Sequence, residues 1–180
     1  RIQLFTSRGV MDIRGIGESQ SATLSEEGFV RDIADLYSLK DKREKLLQLE
    51  GMGEKSIDNL LGAIESSKDR PLPRLISGLG IRHVGGTVAS LLATNFRDLD
   101  ELAEATAEEL IESPTLGPKI AESITDFFSR EENLDIIHRL RDAGVRMTSE
   151  ESQRENMMLT GEEFVITGKL ESSSRPEAEE

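Results

Sequence analysis

From Ile13 to Leu140 apolar residues recur at helical spacing. Asp32 to Leu39 places Ile33, Leu36 and Tyr37 on one face, and Arg43 to Leu49 groups Leu46, Leu47 and Leu49, with Asp41 as the predicted N-cap. Thr106-Ala107-Glu108-Glu109 has the form of a capping box ahead of Leu110 and Ile111. Pro71 and Pro73 punctuate a connection before a helix predicted over Arg74 to Leu79. Asn133 to Ala143 is amphipathic, with Leu134, Ile137 and Leu140 on the inner side and Gly144 just past its end. After Thr148 the pattern stops. Residues 149–158 are polar and aperiodic and read as a linker. Phe164-Val165-Ile166-Thr167-Gly168 then reads as a strand, followed by only twelve residues, too few to complete a sheet.

A repeat runs through the helical part. Gly15-Ile16-Gly17, Gly51-Met52-Gly53, His83-Val84-Gly85 and Thr115-Leu116-Gly117 share an apolar residue followed by glycine, and the glycines ending them lie 36, 32 and 32 residues apart. Two positions beyond them stand Ser19, Lys55, Thr87 and Lys119, so hydroxyl and lysine alternate. An offset of 68 superposes the first segment on the third, and 64 the second on the fourth, which predicts a duplicated two-hairpin unit. A single Gly-x-Gly is most simply a helix terminus. Four at near-constant spacing, each followed by the hydroxyl-or-lysine position, outweigh that reading.

The implied unit is a helix-hairpin-helix. The central apolar residue plugs the turn between two helices, while the glycines permit positive φ and a close approach of backbone to a ligand. The following helix starts with amides that have no intrahelical acceptor, a place where phosphate binds favourably. Ser19 or Thr87 can donate a hydroxyl to the phosphate, and Lys55 or Lys119 can add charge. Contacts of this kind hold a nucleic-acid backbone without reading bases. His83 and Thr115 replace the first glycine in the later turns, which makes phosphate contacts there less secure.

Composition narrows the alternatives. Zero cysteines exclude disulfides and thiolate metal sites and fit an intracellular setting, and no apolar run is long enough for a membrane span. Six Phe, one Tyr and no Trp leave little for aromatic base-stacking platforms. The net charge of −13 opposes a purely electrostatic DNA binder, but it is unevenly spread: residues 1–74 carry −1, residues 75–149 carry −6 and the remainder −6. Gly51-Met52-Gly53-Glu54-Lys55-Ser56 lacks the spacing of a nucleotide phosphate loop, and His83 and His138 have no metal-ligating neighbours in sequence. No nucleophile with a positioned base is evident, so neither a catalytic nor a metal site is predicted.

The order of hairpins and their flanks resembles bacterial NAD-dependent DNA ligase, in its C-terminal half. The stretches that carry the likeness are Phe5-Thr6-Ser7-Arg8-Gly9-Val10-Met11-Asp12-Ile13-Arg14-Gly15-Ile16-Gly17, Asp35-Leu36-Tyr37-Ser38-Leu39 and Leu79-Gly80-Ile81-Arg82-His83-Val84-Gly85. Leu159-Thr160-Gly161-Glu162-Glu163-Phe164-Val165-Ile166-Thr167-Gly168-Lys169-Leu170, with Ser174-Arg175, looks like the opening of that family's BRCT domain. The resemblance implies an all-α, four-hairpin domain over residues 1–148, a linker over 149–158 and the start of an α/β BRCT-like domain over 159–180. It implies a clamp on the minor groove of nicked double-stranded DNA, acting with the other ligase domains of the same chain. The backbone contacts it implies are Arg14, Gly15, Ile16, Gly17, Ser19, Gly51, Met52, Gly53, Lys55, Arg82, His83, Gly85, Gly86, Thr87, Gly117 and Lys119. It places the adenylated lysine, the NAD pocket, Mg²⁺ and a four-cysteine Zn²⁺ finger outside these residues, in a cytoplasmic, nucleoid-associated enzyme without a membrane partner. Two rivals stand beside it: the hairpin module of a glycosylase or nuclease, and a helical protein-interaction scaffold.

Overall fold

The computed structural model describes residues 1–113 and 115–149. The predicted linker from Glu150, the Phe164-Val165-Ile166 strand and the BRCT-like opening lie outside the described residues. Ten α-helices occur among the described residues: α1 Ile2–Thr6, α2 Glu18–Glu26, α3 Arg43–Leu46, α4 Glu54–Ser67, α5 Leu72–Gly78, α6 Gly86–Asn95, α7 Leu99–Glu104, α8 Ala107–Ile111, α9 Pro118–Phe128 and α10 Glu131–Asp142. A 3₁₀ segment, Asp35–Lys42, precedes α3. The pairs α1/α2, α3/α4, α5/α6 and α8/α9 are the four helix-hairpin-helix units.

The duplication is visible in where elements start. Helices α2 and α6 begin 68 residues apart, α4 and α9 begin 64 apart, and the 3₁₀ segment begins 64 before α7. Backbone conformation repeats as well. Asp12 and Gly80, 68 apart, have φ +51° and +70°, and Gly15 and His83, again 68 apart, have +94° and +66°. Equivalent apolar positions Ile13 and Ile81, Ile16 and Val84, and Leu24 and Leu92 are all buried. The halves join through one apolar core that runs from Phe5 to Met147. At their seam a Cβ on Gly78 would stand 2.8 Å from both Phe5 and Val10, so α5 crosses the first hairpin with no room for a side chain.

Several local expectations change. Asp32 to Leu39 is not α-helical; its second half belongs to the 3₁₀ segment, at whose start Asp32 and Asp35 turn their carboxylates back on neighbouring amides. Asp32 Oδ1 accepts from Ala34 N at 2.8 Å, and Asp35 Oδ2 accepts from Arg31 N at 2.8 Å. Ile33, Leu36 and Tyr37 are nonetheless buried. Asp41 caps nothing, since α3 starts one residue later from Lys42 without a side-chain cap. That helix stops at Leu46, and Leu47 and Leu49 are only half-buried. Helix α5 starts at Leu72 rather than Arg74, because proline is tolerated in a first turn that has no acceptor for its amide. Leu134 is half-buried and Ile136 takes its place inside.

Two terminal signals hold. Thr106 and Glu109 form the reciprocal capping box. Past α10, Gly144 at φ +87° donates to Arg141 O while Val145 donates to Leu140 O, a Schellman end. The chain then runs back across the second unit: Met147 O accepts from Leu99 N, and buried Ser149 donates to Arg97 O.

Polar groups fasten the halves from a distance. Arg139 of α10 reaches Asp32 at 2.8 Å and Asp35 at 2.5 Å, and Arg1 donates to Leu79 O and Asn133 Oδ1. Burial pushes the Asp35 carboxyl up, but the Arg31 and Asp32 amides and the Arg139 guanidinium outweigh it, and its pKa lies below the usual range. Tyr37, edge-on to Phe5 and bonded to Ser67 at 2.9 Å, is pushed up by burial to about 12.

Candidate nucleic-acid interface

The first three hairpin turns divide their work between two residues. The first takes the left-handed conformation: Gly15 at φ +94°, Gly51 at +79° and His83 at +66°. The last, Gly17, Gly53, Gly85 or Gly117, is the N-cap of the following helix and has extended backbone with φ between −93° and −72°. The expectation that both glycines of a turn serve positive φ is therefore corrected. Any residue could adopt the φ of the second one. At Gly53, Gly85 and Gly117 an added Cβ would meet nothing within 4 Å, so neither backbone conformation nor internal packing calls for glycine. Between them, Ile16, Val84 and Leu116 are buried plugs, whereas Met52 is only half-buried.

The consequence lies in the helix starts. No side chain caps α2, α4, α6 or α9. Side-chain caps occur at α7 and α8, with Asp98 accepting from Glu101 N and Thr106 from Glu109 N; α1, α3, α5 and α10 also start without one, from Arg1, Lys42, Pro71 and Arg130, so what sets the four hairpin starts apart is glycine at the cap. Glycine at a hairpin cap thus leaves the first amides uncovered, at the positive end of the helix dipole. Ser19, Lys55, Thr87 and Lys119 sit at these openings and are exposed. The four starts are not equal. The first residue is Glu18 in α2, Glu54 in α4, Gly86 in α6 and Pro118 in α9. Gly86 adds neither side chain nor charge, whereas Pro118 has no amide and Ile120 N already donates to Gly117 O at 2.9 Å. The fourth start therefore relies mainly on Lys119.

The structure brings Arg82 and His83 together with Lys119 on the wall of one groove of about 850 Å³, which also contains Arg1, Arg130 and Asn133. Arg14, Gly15, Ile16 and Gly17 border a second groove of about 500 Å³ with Arg8. Gly51 to Lys55 border neither; all of them except half-buried Met52 are exposed. Arg14 is 79% exposed, its Nε 3.5 Å from Asp12, and Asp12 also accepts from Arg70 at 3.1 Å. Gly85, Gly86 and Thr87 are exposed beside the Arg82 groove.

Arg1, Arg130 and Asn133 were not among the predicted site residues. They reach the groove from the start of the chain and from α10, and nothing in their local sequence sets them apart. Asp12 was missed as well; its signal is only a short acidic residue two positions before Arg14, standing at a left-handed turn. Among the described residues no His, Asp and Glu cluster of metal-binding form is found, and no helix is long and apolar enough to cross a membrane.

A pseudo-duplicated set of hairpins with open, glycine-capped helix starts defines a tandem helix-hairpin-helix domain. Residues 7–66 match the family described as SAM-like helix-hairpin-helix tandem, and residues 74–137 match the helix-hairpin-helix motif family. Over 181 aligned residues the chain is 51% identical to the DNA ligase of Dehalococcoides mccartyi (strain CBDB1), covering 100% of this chain and 26% of that protein. It is 49% identical over 180 residues to the DNA ligase of Roseiflexus sp. (strain RS-1), covering 99% of this chain and 24% of that one. With the DNA ligase of Halothermothrix orenii the identity is 47% over 176 residues, 97% of this chain and 26% of the relative. The chain is similar along nearly its whole length to these DNA ligases and spans about a quarter of the length of the curated relatives it matches.

Proposed function

We propose that these residues form the duplex-DNA clamp of a NAD-dependent DNA ligase, gripping phosphates across the minor groove near a nick without preference for sequence. The observation that carries this reading is the set of four helix starts capped by glycine where α7 and α8 use side chains. Neutral amides at Ser19, Lys55, Thr87 and Lys119 meet phosphate oxygens, the Ser19 and Thr87 hydroxyls donate to them, and Lys55, Lys119, Arg14 and Arg82 supply charge. This arrangement accommodates a chain whose net charge is −13, because amide contacts require no excess of basic residues. Gly15, Ile16, Gly51, Met52, His83, Gly85, Gly86 and Gly117 shape the approach.

In this reading residues 149–158 link the clamp to a BRCT-like domain that opens at 159–180, and the remaining domains of the ligase are its partners within the same protein. Adenylyl transfer from NAD, with Mg²⁺, and a zinc finger belong to those other domains; the residues described here bind and orient the duplex. The setting is cytoplasmic, with the nucleoid as the site of action.

Fluorescence anisotropy with nicked and intact duplexes of unrelated sequence, at low salt, tests the proposal. Similar affinity across sequences is expected, along with no self-adenylation in the presence of NAD. Failure to bind any duplex would favour a protein scaffold. Cleavage of abasic DNA would favour the glycosylase or nuclease rival.

A further inference from the structure

Arg1 is held in one place by three uncharged groups. Its Nε donates to Leu79 O at 2.9 Å, both terminal nitrogens donate to Asn133 Oδ1 at 3.1 Å, and the guanidinium lies 5.2 Å from the centre of the Phe127 ring. Asn133 is itself buried and fixed, since its Nδ2 donates to Phe127 O at 2.8 Å. Arg70, Arg130 and Arg139 each meet a carboxylate, whereas among the described residues no carboxylate forms an ion pair with Arg1. Burial lowers its pKa from the ordinary guanidinium value, and the Asp32 charge, already engaged by Arg139, only partly opposes this. A partly desolvated cation without a counter-charge costs stability. Three of its five N–H donors are in use, which leaves one on each terminal nitrogen.

The same side chain borders the groove of about 850 Å³, with Arg82 of the third turn and Lys119 at the start of α9. The carboxylates there are Glu122, Asp126 and Glu132, and Asp126 is taken up by Arg130 at 2.8 Å. Arg82 and Lys119 balance Glu122 and Glu132, so Arg1 is the group that makes the groove positive. We propose that Arg1 is a DNA-contacting residue that holds a phosphodiester in this groove together with Arg82 and Lys119, so that a residue of the first unit completes a site on the second. The inference rests on the DNA-clamp reading above and adds a contact that no hairpin turn or helix start supplies. Because its partners fix the side chain before DNA arrives, little rotamer freedom is lost on binding. The guanidinium gives a phosphate oxygen a charge-assisted hydrogen bond and releases one further counterion.

The experiment compares the full chain with Arg1→Gln, Arg1→Lys and Arg74→Gln. Arg74 is the control: it too meets carbonyls, Arg8 O and Val10 O, but borders neither groove. Anisotropy of a labelled plain duplex is measured from low to moderate salt, beside circular dichroism melts of every variant. Arg1→Gln is expected to weaken binding about tenfold at low salt and to reduce the magnitude of the salt slope by about 0.9. Arg1→Lys keeps the charge but not the planar group that Leu79 and Asn133 hold, so it is expected to restore the slope and only part of the affinity. Arg74→Gln is expected to lower the melting temperature and leave the slope at the parent's value. A folded Arg1→Gln variant with the parent's slope overturns the inference, because Arg1 then only fastens α1 to Leu79 and α10. The guanidinium NMR signals of Arg1 in the parent need no folded variant. They are expected to shift when duplex is added, and no shift overturns the inference. A shift with inorganic phosphate but none with duplex assigns the groove to a free anion and overturns it too. A parent that binds no duplex overturns the clamp reading and this inference together.

Discussion

Replacing Gly53 with serine separates folding from DNA binding, because the two respond with opposite signs. Gly53 caps α4 at φ −83° and ψ 162°, a conformation open to any residue, and its Cβ would meet no atom of the protein within 4 Å. Serine is a better N-cap than glycine by a few tenths of a kcal/mol, roughly, since its Oγ accepts from the amide two or three residues on. Here that is the amide of Lys55 or Ser56. Gly53→Ser is therefore expected to raise the melting temperature by about 1 °C. The same bond withdraws an amide from the phosphate, and the new Cβ stands in the approach to the turn. A hydrogen bond to a charged group contributes about 1.5–3 kcal/mol, so binding is expected to weaken roughly 10- to 100-fold. Because a neutral amide is lost, log affinity against log salt should move down in parallel with an unchanged slope. Circular dichroism melts and anisotropy titrations from low to moderate salt read both quantities. A stabilised Gly53→Ser variant that binds like the parent would refute the idea that the start of α4 holds a phosphate. Gly53→Val tests the steric part alone, as it fills the same space without offering a capping oxygen.

Lys55→Ala is expected to cost less affinity than Gly53→Ser and to reduce the magnitude of the salt slope by about 0.9, which the same titrations measure. Gly78→Ala forces a methyl to within 2.8 Å of Phe5 and Val10 and is expected to destabilise the fold by about 1–3 kcal/mol, read by urea unfolding, with no change in affinity for the fraction that remains folded. Tyr37 ionises near pH 10 when unfolded, while burial raises it to about 12 in the fold. Its contribution is fully present below about pH 10 and is lost as pH rises toward 12, about 2–3 kcal/mol in all. Across that range the parent should lose stability relative to Tyr37→Phe in urea unfolding, and parallel curves would contradict the assignment.

The repeat was legible because each turn needs a small set of residue types at a spacing set by helix length. Ile16, Val84 and Leu116 are buried as that pattern requires, and the unit offsets of 68 and 64 are also the offsets between helix starts. The 3₁₀ segment was not legible. Apolar residues spaced three or four apart serve an α-helix and a 3₁₀ turn alike, so the spacing of Ile33, Leu36 and Tyr37 does not separate the two. The separate roles of the two glycines were hidden for a related reason: composition shows a missing side chain but not whether φ, packing or an incoming ligand excludes it. Long-range partners left no trace either. Arg139 meets Asp32 and Asp35 from more than 100 positions away, and any exposed helical arginine has the same local sequence.

The two offsets differ by four residues, and the difference falls in the stretch between α2 and the 3₁₀ segment, the stretch that contains Asp32. Two identical units related by a twofold axis would offer a duplex the same surface whichever way its axis ran. The longer connection ends that equivalence. Both connections carry a carboxylate turn, Asp32 with Asp35 in the first and Asp98 with Glu101 in the second, but Arg139 fastens the longer one to α10, which follows only the second unit. The tandem therefore has a head and a tail. A ligand with its own polarity, such as a strand end with a phosphate on one side and a hydroxyl on the other, meets a surface that distinguishes its two directions.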